Sequence, residues 1–143
     1  MGLGLQNHKF ISVTPPAVIV DNASYTTTEI DTLGYDYLSI ICYLGATDIA
    51  MTALKLTESD TAGSGHADIT GATFAADLPS ATDDNKSFAF YVDLRGRKRY
   101  IDLVATAGDG TAGTYLAAFA FLSNAEVTPT SASERGLDQQ VII

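Results

Sequence analysis

The feature that most constrains this chain is the block of residues 86–122, which reads as three consecutive β-strands separated by turn signals. Residues 86–94 alternate by period two: Phe88, Phe90, Val92 and Leu94 fall on one side, and Ser87, Ala89, Tyr91 and Asp93 on the other. Arg95-Gly96 reads as a tight hairpin turn, with glycine supplying a positive φ. Residues 97–106 return with Ile101 and Leu103 inward, and Gly108-Asp109-Gly110 turns the chain again. Residues 114–122 are apolar on both faces, with Tyr115, Phe119 and Phe121 on one and Leu116 and Leu122 on the other. Such a strand belongs in the middle of a sheet covered on both sides. The block predicts an all-β, meander-like domain.

The remaining segments extend the pattern. In residues 37–44, Leu38, Ile40, Cys42 and Leu44 share one face; Tyr37, Ser39, Ile41 and Tyr43 share the other, which is half aromatic and expected to be covered too. Residues 51–58 form the next strand. The stretch 46–56 has helix-forming Ala, Met, Leu and Lys, but Thr52, Thr57 and the following Gly/Ser run favour a strand. Shorter strands are expected at 10–14, 17–21 and 24–30, and a small one at 72–75 inside the long irregular stretch 59–84. About eight short strands with Gly, Pro and Asp turns predict an antiparallel β-sandwich or jelly roll. The expected organisation is an N-terminal arm at 1–14, a β-sandwich domain at 15–123 and a C-terminal arm at 124–143. That last arm is polar until it ends in Val141-Ile142-Ile143, and it serves either as a docking arm or as a flap on its own domain.

Length and charge narrow the functional classes. A chain of 143 residues makes one domain and buries roughly 68–70% of its unfolded surface, so it needs no metal or disulfide staple. The net charge of −9 argues against nucleic acid as a partner, because phosphate binding needs a basic footprint. Arg95, Arg97, Lys98 and Arg99 hold half of the basic charge, in a cluster suited to pairing with acidic neighbours or capping a hairpin end, with a docking patch for an acidic partner as the alternative. Cys42 is the only cysteine and reads as a small buried hydrophobe. Residues 1–9 have neither the basic nor the apolar region of a signal peptide, and no apolar run approaches the ~20 residues of a membrane helix. The expectation is a soluble protein made in a cytoplasm, with no membrane partner.

No catalytic constellation stands out. His8 and His66 lack spaced Cys or His partners for zinc. Gly63-Ser64-Gly65-His66 lacks the spacing and the strand-to-helix setting of a nucleophile turn. Asp83-Asp84-Asn85 and Asp109 read as turns, because neither supplies alternating carboxylates for calcium. Gly108-Asp109-Gly110-Thr111 lacks the lysine of a phosphate loop. The seven tyrosines are scattered over several strands and Trp is absent, which favours tyrosines at a subunit interface over a carbohydrate platform. The chain is expected to be no enzyme and to carry no cofactor.

Four segments together resemble small virion proteins of tailed bacteriophages and prophages: 35–50 (YDYLSIICYLGATDIA), 54–60 (LKLTESD), 80–99 (SATDDNKSFAFYVDLRGRKR) and 100–115 (YIDLVATAGDGTAGTY). The resemblance is to head decoration, or cement, proteins. It implies a compact β-rich domain, a homotrimer, a place on the capsid surface of the virion and the major capsid protein as partner. It carries over no active site. The residues expected to make contacts are Tyr37, Tyr43, Arg95, Arg97, Arg99, Val141, Ile142 and Ile143, with the two arms and the loop 59–84. The alternative is a tail- or fibre-associated module that binds host glycan.

Overall fold

The structure is a computed structural model and describes residues 4–16 and 19–143. Eight strands form two four-stranded antiparallel sheets packed face to face. They are β1 (Lys9–Thr14), β2 (Ile30–Asp31), β3 (Tyr35–Thr47), β4 (Ala53–Ser59), β5 (Ala67–Thr73), β6 (Ser87–Asp93), β7 (Tyr100–Thr106) and β8 (Thr114–Ala125). The first sheet has the order β1-β8-β3-β6 and the second β2-β7-β4-β5. The pairs β1·β8, β2·β7, β3·β6 and β4·β5 are nested, as in one long hairpin whose tip lies between β4 and β5. Rolling that hairpin adds β3·β8 and β4·β7 and closes a jelly roll.

The expected all-β sandwich is therefore present, but the meander is not. Turn 94–97 forms where the sequence places it: Arg97 N donates to Leu94 O at 2.9 Å, and Gly96 takes φ 84°. It is no hairpin, however, because β6 and β7 lie in different sheets. The reason is apolar matching at long range. The inward row Phe88, Phe90 and Val92 stands beside Cys42, Ile40 and Leu38 of β3, while Ile101 and Leu103 join Leu54 and Leu56 in the opposite sheet. Leu38, Ile40, Cys42, Leu44, Leu54, Leu56, Ile101, Leu103, Leu116, Ala118, Ala120 and Leu122 form the core between the sheets. Each large side chain buried there contributes about 1.5–3 kcal/mol of transfer free energy.

Several local expectations shift. The strand sought at 72–75 is β5, Ala67–Thr73, whose N-terminal half pairs with Thr57 and Glu58. Residues 24–30 give one bridge, Ser24 with Thr106, and only reach a strand at β2. Their polar main chain is still satisfied, by Tyr25 N to Ala105 O and Thr28 N to Val13 O, both 2.9 Å. The strand expected at 17–21 lies partly outside the described residues.

The arms are largely built into the domain. Residues 9–14 are not an extension but the edge strand β1, in register with β8. The chain leaves β8 after Ala125 and folds back on itself. Ser131 and Glu134 exchange reciprocal bonds as in a capping box: Ser131 N donates to Glu134 Oε2 at 3.0 Å, and Glu134 N to Ser131 Oγ at 3.2 Å. The turn they hold presents Arg135 O to Phe10 N of β1 at 2.8 Å. The buried Arg135 guanidinium then donates to Gln6 O, Gln140 Oε1 and Pro129 O at 2.6, 2.8 and 3.0 Å.

Candidate docking face

The site begins with the side of the first sheet that faces away from the core. Register and alternation assign it Phe10 and Ser12 of β1, Tyr115, Ala117, Phe119 and Phe121 of β8, Tyr37, Ser39, Ile41 and Tyr43 of β3, and Ser87, Ala89, Tyr91 and Asp93 of β6. Thirteen of these fourteen positions are uncharged, in a chain of net charge −9. Four strands at the usual spacing make the face about 19 Å wide. Tyr37, Tyr43, Tyr91 and Tyr115 are 40%, 46%, 79% and 48% exposed. Together they leave bare about two tyrosines' worth of surface, about 300–500 Å². That is the size of the largest apolar patch on a typical monomer, a patch that is often functional, which makes this face the candidate site.

Packing gives the face its relief. Phe10, Phe119 and Phe121 form a ring cluster with centroids 5.7–5.9 Å apart. The 260 Å³ niche beside it is lined by Leu5, His8, Arg135 and Leu137, so the returning C-terminal segment borders this corner. A second niche of 200 Å³ lies between Tyr43 and Tyr115 over Gly45. A Cβ on Gly45 would come 2.9 Å from Tyr115 Cβ, so only glycine lets the tyrosine lie across β3. The expectation that this aromatic face is covered fails within the single chain: its four tyrosines stand open.

The outer side of the second sheet is chemically different. It carries an ion pair, Lys55 to Asp68 at 2.8 Å, and the bond from Thr27 Oγ1 to Asp102 at 2.8 Å. Thr57, Thr73 and Thr106 share it with Ala53, Val104 and Tyr100, the last covered by the Arg99 guanidinium. One sheet thus has the polar exterior of a solvated jelly roll and the other does not.

The expected contact residues separate into three groups. Tyr37 and Tyr43 lie on the aromatic face. Arg95 borders it, its guanidinium carbon 5.4 Å from the Tyr37 ring centroid and its Nε and Nη2 bonded to Asp93 at 2.9 and 2.7 Å. Those bonds hold the Asp93 carboxyl down at about 2 and raise the arginine further. Arg97 and Arg99 do not join the face: Arg97 pairs with Glu58 at 3.5 Å, and Arg99 makes two 2.8 Å bonds to Asp31. The basic cluster is thus divided among its own acidic neighbours. Val141, Ile142 and Ile143 are exposed on the tail and belong to no strand of the face.

Tyr91 and Tyr115 fall within the general expectation of interface tyrosines but not among the expected contact residues, and the clustering itself was missed. Tyrosines scattered over three strands in sequence converge because β8, β3 and β6 are neighbours in space. Their odd positions within alternating strands were the available signal; the neighbour relation was not.

His8 borders the aromatic face, and the other groups that the sequence singles out lie away from it. Burial pushes the Cys42 thiol up to about 12. His66 Nε2 lies 2.9 Å from Glu29 Oε2, and His8 stands edge-on to Phe121. The Asp48 carboxylate accepts main-chain bonds from Thr111, Ala112 and Gly113, which makes it a loop clasp. Among the described residues no group of three or more His, Cys, Asp or Glu could hold a metal ion, and no helix is long and apolar enough to cross a membrane. Comparison of the chain with protein-family models, with curated proteins and with solved structures returns no match in any of the three.

Proposed function

We propose that this protein is a non-enzymatic structural protein of a virion, a capsid decoration protein that docks its aromatic sheet face on the major capsid protein. One observation carries the reading: the outer side of the first sheet is apolar and tyrosine-rich, while the outer side of the second is polar and ion-paired. Tyrosines suit such contact because a rigid ring fills a pocket while its hydroxyl stays hydrogen-bonded. The acidic remainder of the surface keeps the docking to this one neutral area. Jelly rolls serve in viral capsids and in lectins, and the fold alone does not choose between them.

The test is occupancy on purified particles. Immunogold labelling of the source virions places the protein on heads in this reading. Added to particles stripped of it, a Tyr91→Ser, Tyr115→Ser double variant should fold normally yet fail to decorate them. Normal decoration by that variant would refute the docking face. A second reading, a tail- or fibre-borne glycan-binding module, gains support from the clustering of four exposed tyrosines on one face. Gold confined to the tail, together with a glycan-array signal that the same double variant loses, would replace the first reading with the second.

A further inference from the structure

A jelly roll has four sheet edges, and this chain guards three of them. β1 carries a register break between Ser12 and Thr14, runs into Pro15-Pro16, and is bonded at Phe10 N by Arg135 O. β2 is two residues long. β5 has Gly71 at φ 84° inside it and a register break opposite Lys55 and Thr57. Breaks, prolines and very short strands are the means by which soluble proteins keep strand edges from pairing.

β6 has none of them. Its seven residues run in unbroken register against β3, from Tyr37↔Asp93 to Tyr43↔Ser87. It holds no proline and no glycine, and only Asp93, at its end, is charged. The bonds from Leu44 N to Lys86 O and from Leu94 N to Asp36 O show that the even-numbered residues turn their main chain toward β3. Alternation then turns the N–H and C=O groups of Ser87, Ala89, Tyr91 and Asp93 outward. A groove of 450 Å³ separates this edge from β5, Phe74 and Arg97, and among the described residues no main-chain bond closes it.

We propose that β6 pairs with β6 of a second copy, antiparallel about a two-fold axis at Phe90. Register supports this occupant. Pairing about Phe90 sets Ser87 opposite Asp93 and Ala89 opposite Tyr91, so all four outward residues meet as hydrogen-bonded pairs, with about eight main-chain bonds across the seam. Phe88 then meets Val92, apolar against apolar. The Lys86 end of one copy lies at the Asp93 end of the other, so no like charges oppose each other. A longitudinal slip by two residues would leave outward groups unpaired at both ends. A two-fold axis normal to the sheet keeps both aromatic faces on one side. The result is a continuous eight-stranded sheet presenting eight tyrosines. The dimer stands on the edge alone; only the use of the doubled face rests on the docking function above.

The experiment is sedimentation of the full chain over a wide range of concentration, combined with residue-resolved hydrogen exchange. The expected result is a monomer–dimer equilibrium in which the amides of Ser87, Ala89, Tyr91 and Asp93 gain protection as the dimer forms. Ala89→Pro removes an outward donor without touching a β3–β6 bond, and should weaken dimerisation at least about tenfold. If that variant does not fold, the amide protection in the unaltered chain still decides. A monomer at every concentration, a trimer, a dimer whose β6 amides stay unprotected, or a folded Ala89→Pro variant that dimerises normally would each overturn the inference. A monomer that decorates particles through its tyrosines overturns the inference and leaves the docking function standing. A dimer indifferent to particles does the reverse.

Discussion

Replacing Arg135 with Met tests whether the C-terminal segment is an arm or a built-in part of the sandwich. The side chain is buried and its guanidinium makes three bonds, to Gln6 O, Pro129 O and Gln140 Oε1. Hydrogen bonds from a charged group contribute about 1.5–3 kcal/mol each. Gln140 is exposed, so its bond counts for about 0.5 kcal/mol against competing water. The two carbonyl bonds at the low end of the range, with that remainder, total about 3–4 kcal/mol. The Met side chain keeps the apolar stem and recovers a little, leaving a loss of about 3 kcal/mol for docking of the segment. That corresponds to about a 100-fold rise in its open population, at 1.4 kcal/mol per factor of ten. The readout is native-state exchange of the Phe10 amide, which is bonded to Arg135 O and reports the segment directly. Urea unfolding should lose a similar amount, because the unfolded chain lacks these bonds as the open state does, so Phe10 exchange is what localises the loss to the segment. If Phe10 exchange is unchanged in Arg135→Met, the buried guanidinium does not hold the segment and the reasoning fails. The consequence for function is practical: deleting 124–143 would bare the edge of β1, so lost binding in such a truncation would not identify a contact arm.

Three further outcomes are expected. Gly113→Ala should destabilise the fold by about 2–4 kcal/mol in urea titration, because φ there is 90° and a Cβ would lie 2.6 Å from Val20 O; an unchanged midpoint would contradict that contact. Thr114→Val should be neutral or stabilise by up to about 1 kcal/mol, since Thr114 Oγ1 is buried without a partner among the described residues; a clear drop in Tm would show that the hydroxyl is satisfied. The Asp93 and Glu134 carboxyls are held at about 2, Asp93 by its bonds to Arg95 and Glu134 by main-chain bonds from Thr130 and Ser131, and main-chain bonds likewise lower Asp48. Depressed carboxyls stabilise the fold above their unfolded values and lose that contribution as pH falls from about 4.5 toward 2. Tm should therefore fall over that window, and less steeply in Glu134→Gln; identical acid profiles would count against the Glu134 cap.

How far the sequence reaches can be seen strand by strand. Alternation placed Leu38, Ile40, Cys42 and Leu44 inside, and all four are buried. The same period assigned Phe88, Phe90 and Val92 to the core side of β6. Gly96 marked a turn that forms at that position. These features are local: a side chain's face and a residue's φ follow from its own backbone and its immediate neighbours. The irregular path of residues 25–29 was less legible, because Tyr25 and the threonines suit a strand by composition and take their hydrogen bonds from other strands instead.

What the sequence by itself determined is an all-β chain with correctly assigned inner rows. Tertiary structure alone decided which strands are neighbours, and with that the site. β6 and β7 are joined by one tight turn yet belong to different sheets, since each pairs where its apolar row matches a strand far away in sequence. Pairing energy comes from long-range register and packing, which no short window contains. The same long-range choice brought Tyr37, Tyr43, Tyr91 and Tyr115 to one face, tied Arg97 and Arg99 to Glu58 and Asp31, and laid the C-terminal segment along β1. It also left β6 at an open edge, a property that exists only once the order of the sheet is settled.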